Sequence, residues 1–176
     1  MNYATVKKTD VANGPGVRVS LFVSGCTHHC KGCFNRETWD FGYGKPYTEQ
    51  VEEELLNALA PDYIRGLSVL GGEPFEEANR PAVLGLLQKV KERYPEKDIW
   101  CYSGYDYEKD MLRWIAEGRE EVDRMLRCID VLVDGEFVEE LKNLRLPFRG
   151  SENQRLIDVA ASGREQRVVM YGELDN

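Results

Sequence analysis

Three cysteines fall within a short stretch of this chain, Gly25-Cys26-Thr27-His28-His29-Cys30-Lys31-Gly32-Cys33-Phe34-Asn35. Their C-x3-C-x2-C spacing follows directly on the apolar run at residues 19–23. Thiolates are soft, charged ligands, and three from one short loop can converge on a metal centre without help from elsewhere. The other two cysteines, Cys101 and Cys128, lie far along the chain in strand-like or helix-end contexts. Electron-carrier clusters are commonly closed by four cysteines, whereas a four-iron cluster held by three keeps one iron open. An open iron points to chemistry on a bound substrate or cofactor.

Two rival readings apply to the same residues. A structural zinc site would take Cys26, Cys30 and Cys33 with His28 or His29 as the fourth ligand. Against it, zinc ligands more often come as two separated pairs, and both histidines sit inside the ligand loop. A disulfide framework is disfavoured by an odd total of five cysteines and by the lack of a secretory segment, which point to a reducing compartment. His28 and His29 read as exposed loop residues, and Cys101 and Cys128 as inert buried thiols.

At 176 residues, with 42% hydrophobic and 31% charged residues, the chain reads as one soluble globular domain over 1–176. No apolar run approaches the length of a membrane span and the start lacks a signal-peptide pattern, so the expectation is cytoplasmic, with no membrane. The net charge of −8 argues against nucleic acid as a partner, and Arg145, Arg149 and Arg155 are too sparse to reverse it.

The elements that must position the cysteines follow from the apolar pattern. Residues 3–8 alternate weakly, as an edge strand would, and Asn13-Gly14-Pro15-Gly16 is a turn. Val17–Val23 is a buried strand that delivers the cysteine loop. Thr48 caps a helix with Val51, Leu55 and Leu59 on one face, ended by Pro61. Residues 67–70 form a strand running into Gly71-Gly72-Glu73-Pro74. A helix with Val83, Leu87, Val90 and Tyr94 on one stripe ends at Pro95. Asp98–Tyr102 is the next strand, ending at Ser103-Gly104-Tyr105. Helical segments around Met111, Trp114 and Ile115, then around Val122, Met125 and Leu126, are separated by Gly118. A fourth strand at 129–133 ends at Asp134-Gly135. Beyond it, 137–144 reads as a short helix, 156–159 and 167–170 as strands, and 149–155 as a polar loop.

Strands alternating with helices imply an α/β fold with a parallel sheet and right-handed crossovers. The ends of parallel strands share one edge, and ligands bind there. The cysteine loop, Gly71-Gly72-Glu73, Ser103-Gly104-Tyr105 and Asp134-Gly135 all follow strands, so four segments are expected at one mouth. Gly71-Gly72 admits a ligand close to the backbone or makes a tight turn. Glu73 pairs with an ammonium group or begins the next helix. Ser103 and Tyr105 reach a cofactor or form a turn, and Asp134 binds a cation or ligand or merely turns the chain. Trp39, Phe41 and Tyr43 form an aromatic patch read as packing after the cysteine loop.

Cys26-x3-Cys30-x2-Cys33 followed by Phe34, together with Gly71-Gly72-Glu73-Pro74, resembles the radical S-adenosylmethionine enzymes. Gly14-Pro15-Gly16-Val17-Arg18 leading to Phe22-Val23-Ser24-Gly25-Cys26 is similar, more narrowly, to the glycyl-radical-enzyme activases. Asp130-Val131-Leu132-Val133-Asp134-Gly135 and Arg149-Gly150-Ser151-Glu152-Asn153-Gln154-Arg155 resemble the subfamily acting on anaerobic ribonucleoside-triphosphate reductases. In one respect the chain departs from many superfamily members: Gly32, not an aromatic residue, precedes the third cysteine, as in the reductase activases.

The resemblance implies a partial, open (β/α) barrel of mostly parallel strands, a shortened radical S-adenosylmethionine core. It implies a [4Fe–4S] cluster on Cys26, Cys30 and Cys33, with S-adenosylmethionine on the fourth iron. Gly71, Gly72 and Glu73 would bind its amino end and Gly32, Cys33 and Phe34 its adenine side, with Ser103 and Asp134 also at the site and room for a monovalent cation near Asp134. One-electron cleavage would give a 5′-deoxyadenosyl radical that takes hydrogen from a glycine of the reductase, the electron coming from a donor such as flavodoxin or ferredoxin.

Overall fold

Seven strands form one sheet in the computed structural model, which describes residues 1–172. They are β1 (Asn2–Asp10), β2 (Val17–Val23), β3 (Lys45–Pro46), β4 (Ile64–Gly71), β5 (Asp98–Tyr102), β6 (Val131–Asp134) and β7 (Arg155–Asp158). Their order is β3-β1-β2-β4-β5-β6-β7. The middle four run parallel, while β1, β3 and β7 pair antiparallel at the flanks. The result is a mixed α/β sheet that does not close on itself.

Alternation along the strands divides the residues between two faces. Val19, Leu21 and Val23 of β2, Leu67 and Val69 of β4, Ile99 and Cys101 of β5, and Leu132 of β6 join the main core. Helices α1 (Glu49–Ala58), α2 (Arg80–Arg93), α3 (Leu112–Ala116), α4 (Glu120–Cys128) and α5 (Val159–Glu165) contribute to that same core through residues such as Leu55, Val83, Leu87, Trp114, Met125 and Val159. On the other face Trp100, Val131, Val133 and Leu156 form a smaller cluster, and Phe22, Leu70 and Tyr102 line a cavity. Helices thus insulate one face and leave the other for a ligand.

Local chemistry fixes the helix ends. The Thr48 hydroxyl accepts the Val51 N–H at 3.3 Å, as expected from its position before an apolar stripe. Asp158 accepts the Ala161 N–H at 2.8 Å and starts α5, a helix not anticipated from sequence. Val159 therefore opens a helix and does not end a strand. Gly163 inside this short segment weakens its helical signal.

The first strand is the edge expected from sequence along most of its length, since the two-residue β3 pairs with it only at Asn2 and Tyr3. Other departures have local causes. The expected helix at 137–144 is reduced to a 3-10 turn, Glu139–Leu141, since the Val138 N–H goes to Ser151 Oγ at 3.2 Å and Lys142 bridges to Ser151. Residues 167–170 form no strand; Met170 makes a single bridge to Ile157. Among the described residues, no helix is long and apolar enough to cross a membrane.

Candidate functional site

All three cysteines line one cavity of about 590 Å³ at the carboxyl ends of the parallel strands. It also takes Gly71, Gly72 and Glu73 from the end of β4, Ser103 and Gly104 from β5, and Gly135 from β6. The expected convergence on one mouth is present. Residues that sequence reading gave no role there, among them Lys7, Tyr102, Phe137 and Gln154, complete the wall.

The loop is held at its root by backbone pairing. Gly25 N–H bonds Thr38 O at 2.8 Å, Gly72 N–H bonds Val23 O at 2.8 Å, and Glu73 N–H bonds Gly25 O at 2.8 Å. That last contact explains the paired glycines. A Cβ on Gly72 would lie 2.5 Å from Gly25 O and 2.9 Å from Thr38 O. Gly71 has a φ of 110°, and a Cβ there would lie 2.7 Å from Val23 O. The glycines thus let the end of β4 press against the base of the cysteine loop.

Glu73 is buried and does not begin a helix, since α2 starts only at Arg80. Its carboxylate accepts Phe75 N–H at 2.8 Å, Ser103 Oγ–H at 2.9 Å and Gly104 N–H at 2.7 Å. Glu73 therefore ties the loop after β4 to the loop after β5. The Ser103 hydroxyl also accepts the Tyr105 N–H at 3.0 Å. Asn79 adds a second tie, its amide donating to Ser24 O and to Glu73 O, each at 3.0 Å.

His28 is not the exposed loop residue expected from sequence. Its side chain is 9% exposed, with Nδ1 2.7 Å from Glu136 Oε1 and Nε2 3.3 Å from Glu73 Oε2. Its ring also packs edge-on against Tyr105 at 4.3 Å. The pull of two carboxylates is what drew it in, and neither was recognisable as its partner from sequence spacing. Burial works against the imidazolium, yet Glu73 and Glu136 outweigh it and raise the pKa to about 9. With both ring nitrogens facing carboxylates, His28 is not placed as a fourth metal ligand. His29 stacks on Trp39 at 4.5 Å.

A raised histidine pKa sets a direction for pH dependence. The His28 contribution to stability is complete below about 6.5, the ordinary histidine value, and is lost as pH rises through about 9. The metal-free protein is therefore expected to lose thermal stability across this window. His28→Gln should flatten the loss, which thermal unfolding at several pH values will show.

Burial pushes the Cys26 thiol up to about 12, with Glu73 adding to the effect. Cys30 is raised by burial and by Glu136. Binding a metal centre must release these protons. Among the described residues, no three His, Cys, Asp or Glu groups gather around a single ion position. Gly32 holds a φ of 73°, and a Cβ there would lie 2.9 Å from Glu139 Oε1. Phe34 is 58% exposed and packs against Phe137 at 5.1 Å.

The remaining wall carries buried polar groups without partners. Trp39 Nε1, Tyr102 OH and Arg149 Nε belong to cavity-lining residues, are buried, and have no hydrogen-bond partner among the described residues. Buried polar atoms of this kind call for partners from a ligand or water. Asp134 stands apart from this cavity. Its carboxylate receives Arg155 Nε at 2.9 Å, Arg155 Nη2 at 2.5 Å and Tyr107 N–H at 2.9 Å. The cation that Asp134 faces is thus Arg155 of its own chain. Cys101 is fully buried as expected, while Cys128 is only half-buried.

Comparison with known proteins agrees with this arrangement. The family model for a 4Fe-4S single cluster domain matches residues 12–157. A protein of Vibrio cholerae is 46% identical over 156 residues, covering 88% of this chain and 96% of that protein. The corresponding protein of Enterobacteria phage T4 is 42% identical, covering 89% of this chain and 93% of its own. That of Escherichia coli K12 is 43% identical, covering 88% and 96%. All three are named anaerobic ribonucleoside-triphosphate reductase-activating protein. With a cysteine loop, a glycine clamp and a matching cluster domain in one chain, the protein belongs to the family of anaerobic ribonucleoside-triphosphate reductase-activating proteins.

Proposed function

We propose that this chain installs a glycyl radical on an anaerobic ribonucleoside-triphosphate reductase. The observation that carries the reading is the opening of all three loop cysteines into a cavity already walled by the Gly71-Gly72-Glu73 turn. When bound there, a [4Fe–4S] cluster and S-adenosylmethionine supply the one-electron sulfur–C5′ cleavage whose 5′-deoxyadenosyl product removes a glycine hydrogen.

Each group of the chain has a task in this reading. Cys26, Cys30 and Cys33 would hold the cluster, and the loop offers no fourth cysteine to it. Gly71 and Gly72 bring main-chain polar groups up to the amino end of the cofactor. Glu73 acts there mainly by fixing Ser103 and Gly104, because its oxygens are already engaged. Gly32 and Phe34 line the adenine side. Asp134, locked to Arg155, fixes the end of β6 beside that wall. The four parallel strands follow in chain order with their helices on one face, which we read as a partial, open (β/α) barrel. An unclosed sheet suits the task, since a polypeptide segment has to reach the cavity. The reaction belongs in the cytoplasm, with flavodoxin or ferredoxin as electron donor.

Anaerobic reconstitution with iron and sulfide tests the assignment. About four irons per chain are expected, along with 5′-deoxyadenosine from S-adenosylmethionine and a chemical reductant. Stoichiometric zinc without cleavage would contradict it, as would a redox-active cluster indifferent to S-adenosylmethionine.

A further inference from the structure

A second cavity, of about 520 Å³, adjoins the first and shares His28, Gly104 and Gly135 with it. Its wall is acidic, with Asp106 and Asp110 from the segment after β5, and Asp134 and Glu136 from the end of β6 and the turn beyond. The monovalent cation implied by the resemblance would sit among these acids. The residues do not fit it, because cations of the chain itself already face each one. Among the described residues, Arg155 faces Asp134 and Asp106, Lys109 faces Asp106, Arg113 faces Asp110 and His28 faces Glu136.

Arg155 is the centre of this arrangement. It reaches Asp134 through Nε at 2.9 Å and Nη2 at 2.5 Å, Glu108 through Nη1 at 2.9 Å, and Asp106 at 3.5 Å. Asp134 is 1% exposed, so its charge depends on a partner from the protein. A guanidinium suits it better than an alkali ion, since the planar fork gives two directed bonds to one carboxylate. The hydrogen bonds to Asp134 outweigh burial and raise the Arg155 pKa above its usual value, so the charge is permanent. As part of the chain, the arginine is also held beside the acids without a separate binding step.

Its contacts continue to the first cavity. Asp134 accepts the Tyr107 N–H at 2.9 Å, which ties the end of β6 to the segment after β5. Gly135 follows Asp134 and lines both cavities. Gln154, the neighbour of Arg155, donates to Gly135 O at 2.9 Å and lines the first cavity itself. The charge on Arg155 therefore governs how the loops bearing Gly104 and Gly135 close around the cavity that holds the cysteines.

We infer that Arg155 is a built-in replacement for an alkali cation, a positioning residue that holds the loops after β5 and β6 together, and that the activity of the chain does not depend on sodium or potassium. The inference deepens the activase reading above and rests on it.

The test compares wild-type protein with Arg155→Ala in tetramethylammonium, sodium and potassium chloride at one ionic strength. Formation of 5′-deoxyadenosine by the reconstituted proteins is measured with an alkali-free reductant, and the Tm of the metal-free proteins is measured in the same salts. Wild-type cleavage and Tm should not differ among the salts. In tetramethylammonium chloride, Arg155→Ala should lose about tenfold or more in cleavage and about 5 °C or more in Tm. Sodium, potassium or guanidinium at a non-denaturing concentration should restore much of both, which a merely structural side chain would not allow. Wild-type cleavage that rises with sodium or potassium would overturn the inference. So would an Arg155→Ala protein with no defect, or with one that no added cation relieves. Should Arg155→Ala fail to fold, Arg155→Lys takes its place in the same salts, and an alkali requirement in the wild type remains the contradicting result. Absence of 5′-deoxyadenosine from the wild type in every salt would instead overturn the activase reading, while the Tm comparison would still report on Arg155.

Discussion

Arg18→Ala is expected to destabilise the metal-free protein by about 2–4 kcal/mol, because it removes a fully buried side chain that donates to buried polar groups on a neighbouring strand. Arg18 is fully buried on β2, 2.6 Å from Asp98 Oδ1. It also donates to Ser68 Oγ at 2.7 Å and to Leu67 O at 2.8 Å, so one side chain spans three parallel strands. Burial works against the guanidinium charge and Asp98 supports it. Removing the cation leaves Asp98 to Arg65 alone and strips the buried Leu67 carbonyl and Ser68 hydroxyl of a donor. The Gly14 turn closes over the same side chain, and a Cβ on Gly14 would lie 2.9 Å from the Arg18 chain. Thermal unfolding should show a loss of about 10 °C. Arg127→Ala removes an exposed pair with Asp123 and should cost under about 1 kcal/mol. Equal, small losses in both variants would refute the bracing role of Arg18.

The second large effect concerns the glycine clamp. Gly72→Ala would place a methyl group against Gly25 O and Thr38 O, backbone atoms at the root of the cysteine loop. Neither can yield as a flexible side chain would. The strand end or the loop must move, and small displacements near reacting groups cost about 100-fold in rate. A drop of about that size in 5′-deoxyadenosine formation is expected, with a stability loss of about 1–3 kcal/mol. Gly85→Ala is the matched control. It lies within α2, and a Cβ there meets nothing within 4 Å, so the change should be neutral or stabilise by about 0.5–1 kcal/mol. A fully active Gly72→Ala protein would remove the clamp from the account.

These two residues also show what was legible in the sequence. The apolar runs gave the parallel strands, and the special residues after each run gave the shared mouth. Both depend on local pattern, which a single sequence carries. Long-range pairings were hidden. Glu73 resembled a helix-starting or ammonium-binding acid until Ser103, Gly104 and His28 were seen around it. His28 resembled a loop residue because Glu136 lies far along the chain. Asp134 offered a cation site until Arg155 was found facing it. The α5 helix was missed because its seven residues follow a strand and include Gly163.

The most direct measurement is electron paramagnetic resonance of the reduced, reconstituted protein before and after S-adenosylmethionine is added. If one iron lacks a protein ligand, the cofactor should change the cluster signal. Subsequent addition of the reductase should then give a glycyl-radical doublet that Cys30→Ala abolishes. A cluster signal unmoved by S-adenosylmethionine, with no doublet on addition of the reductase, would contradict the account.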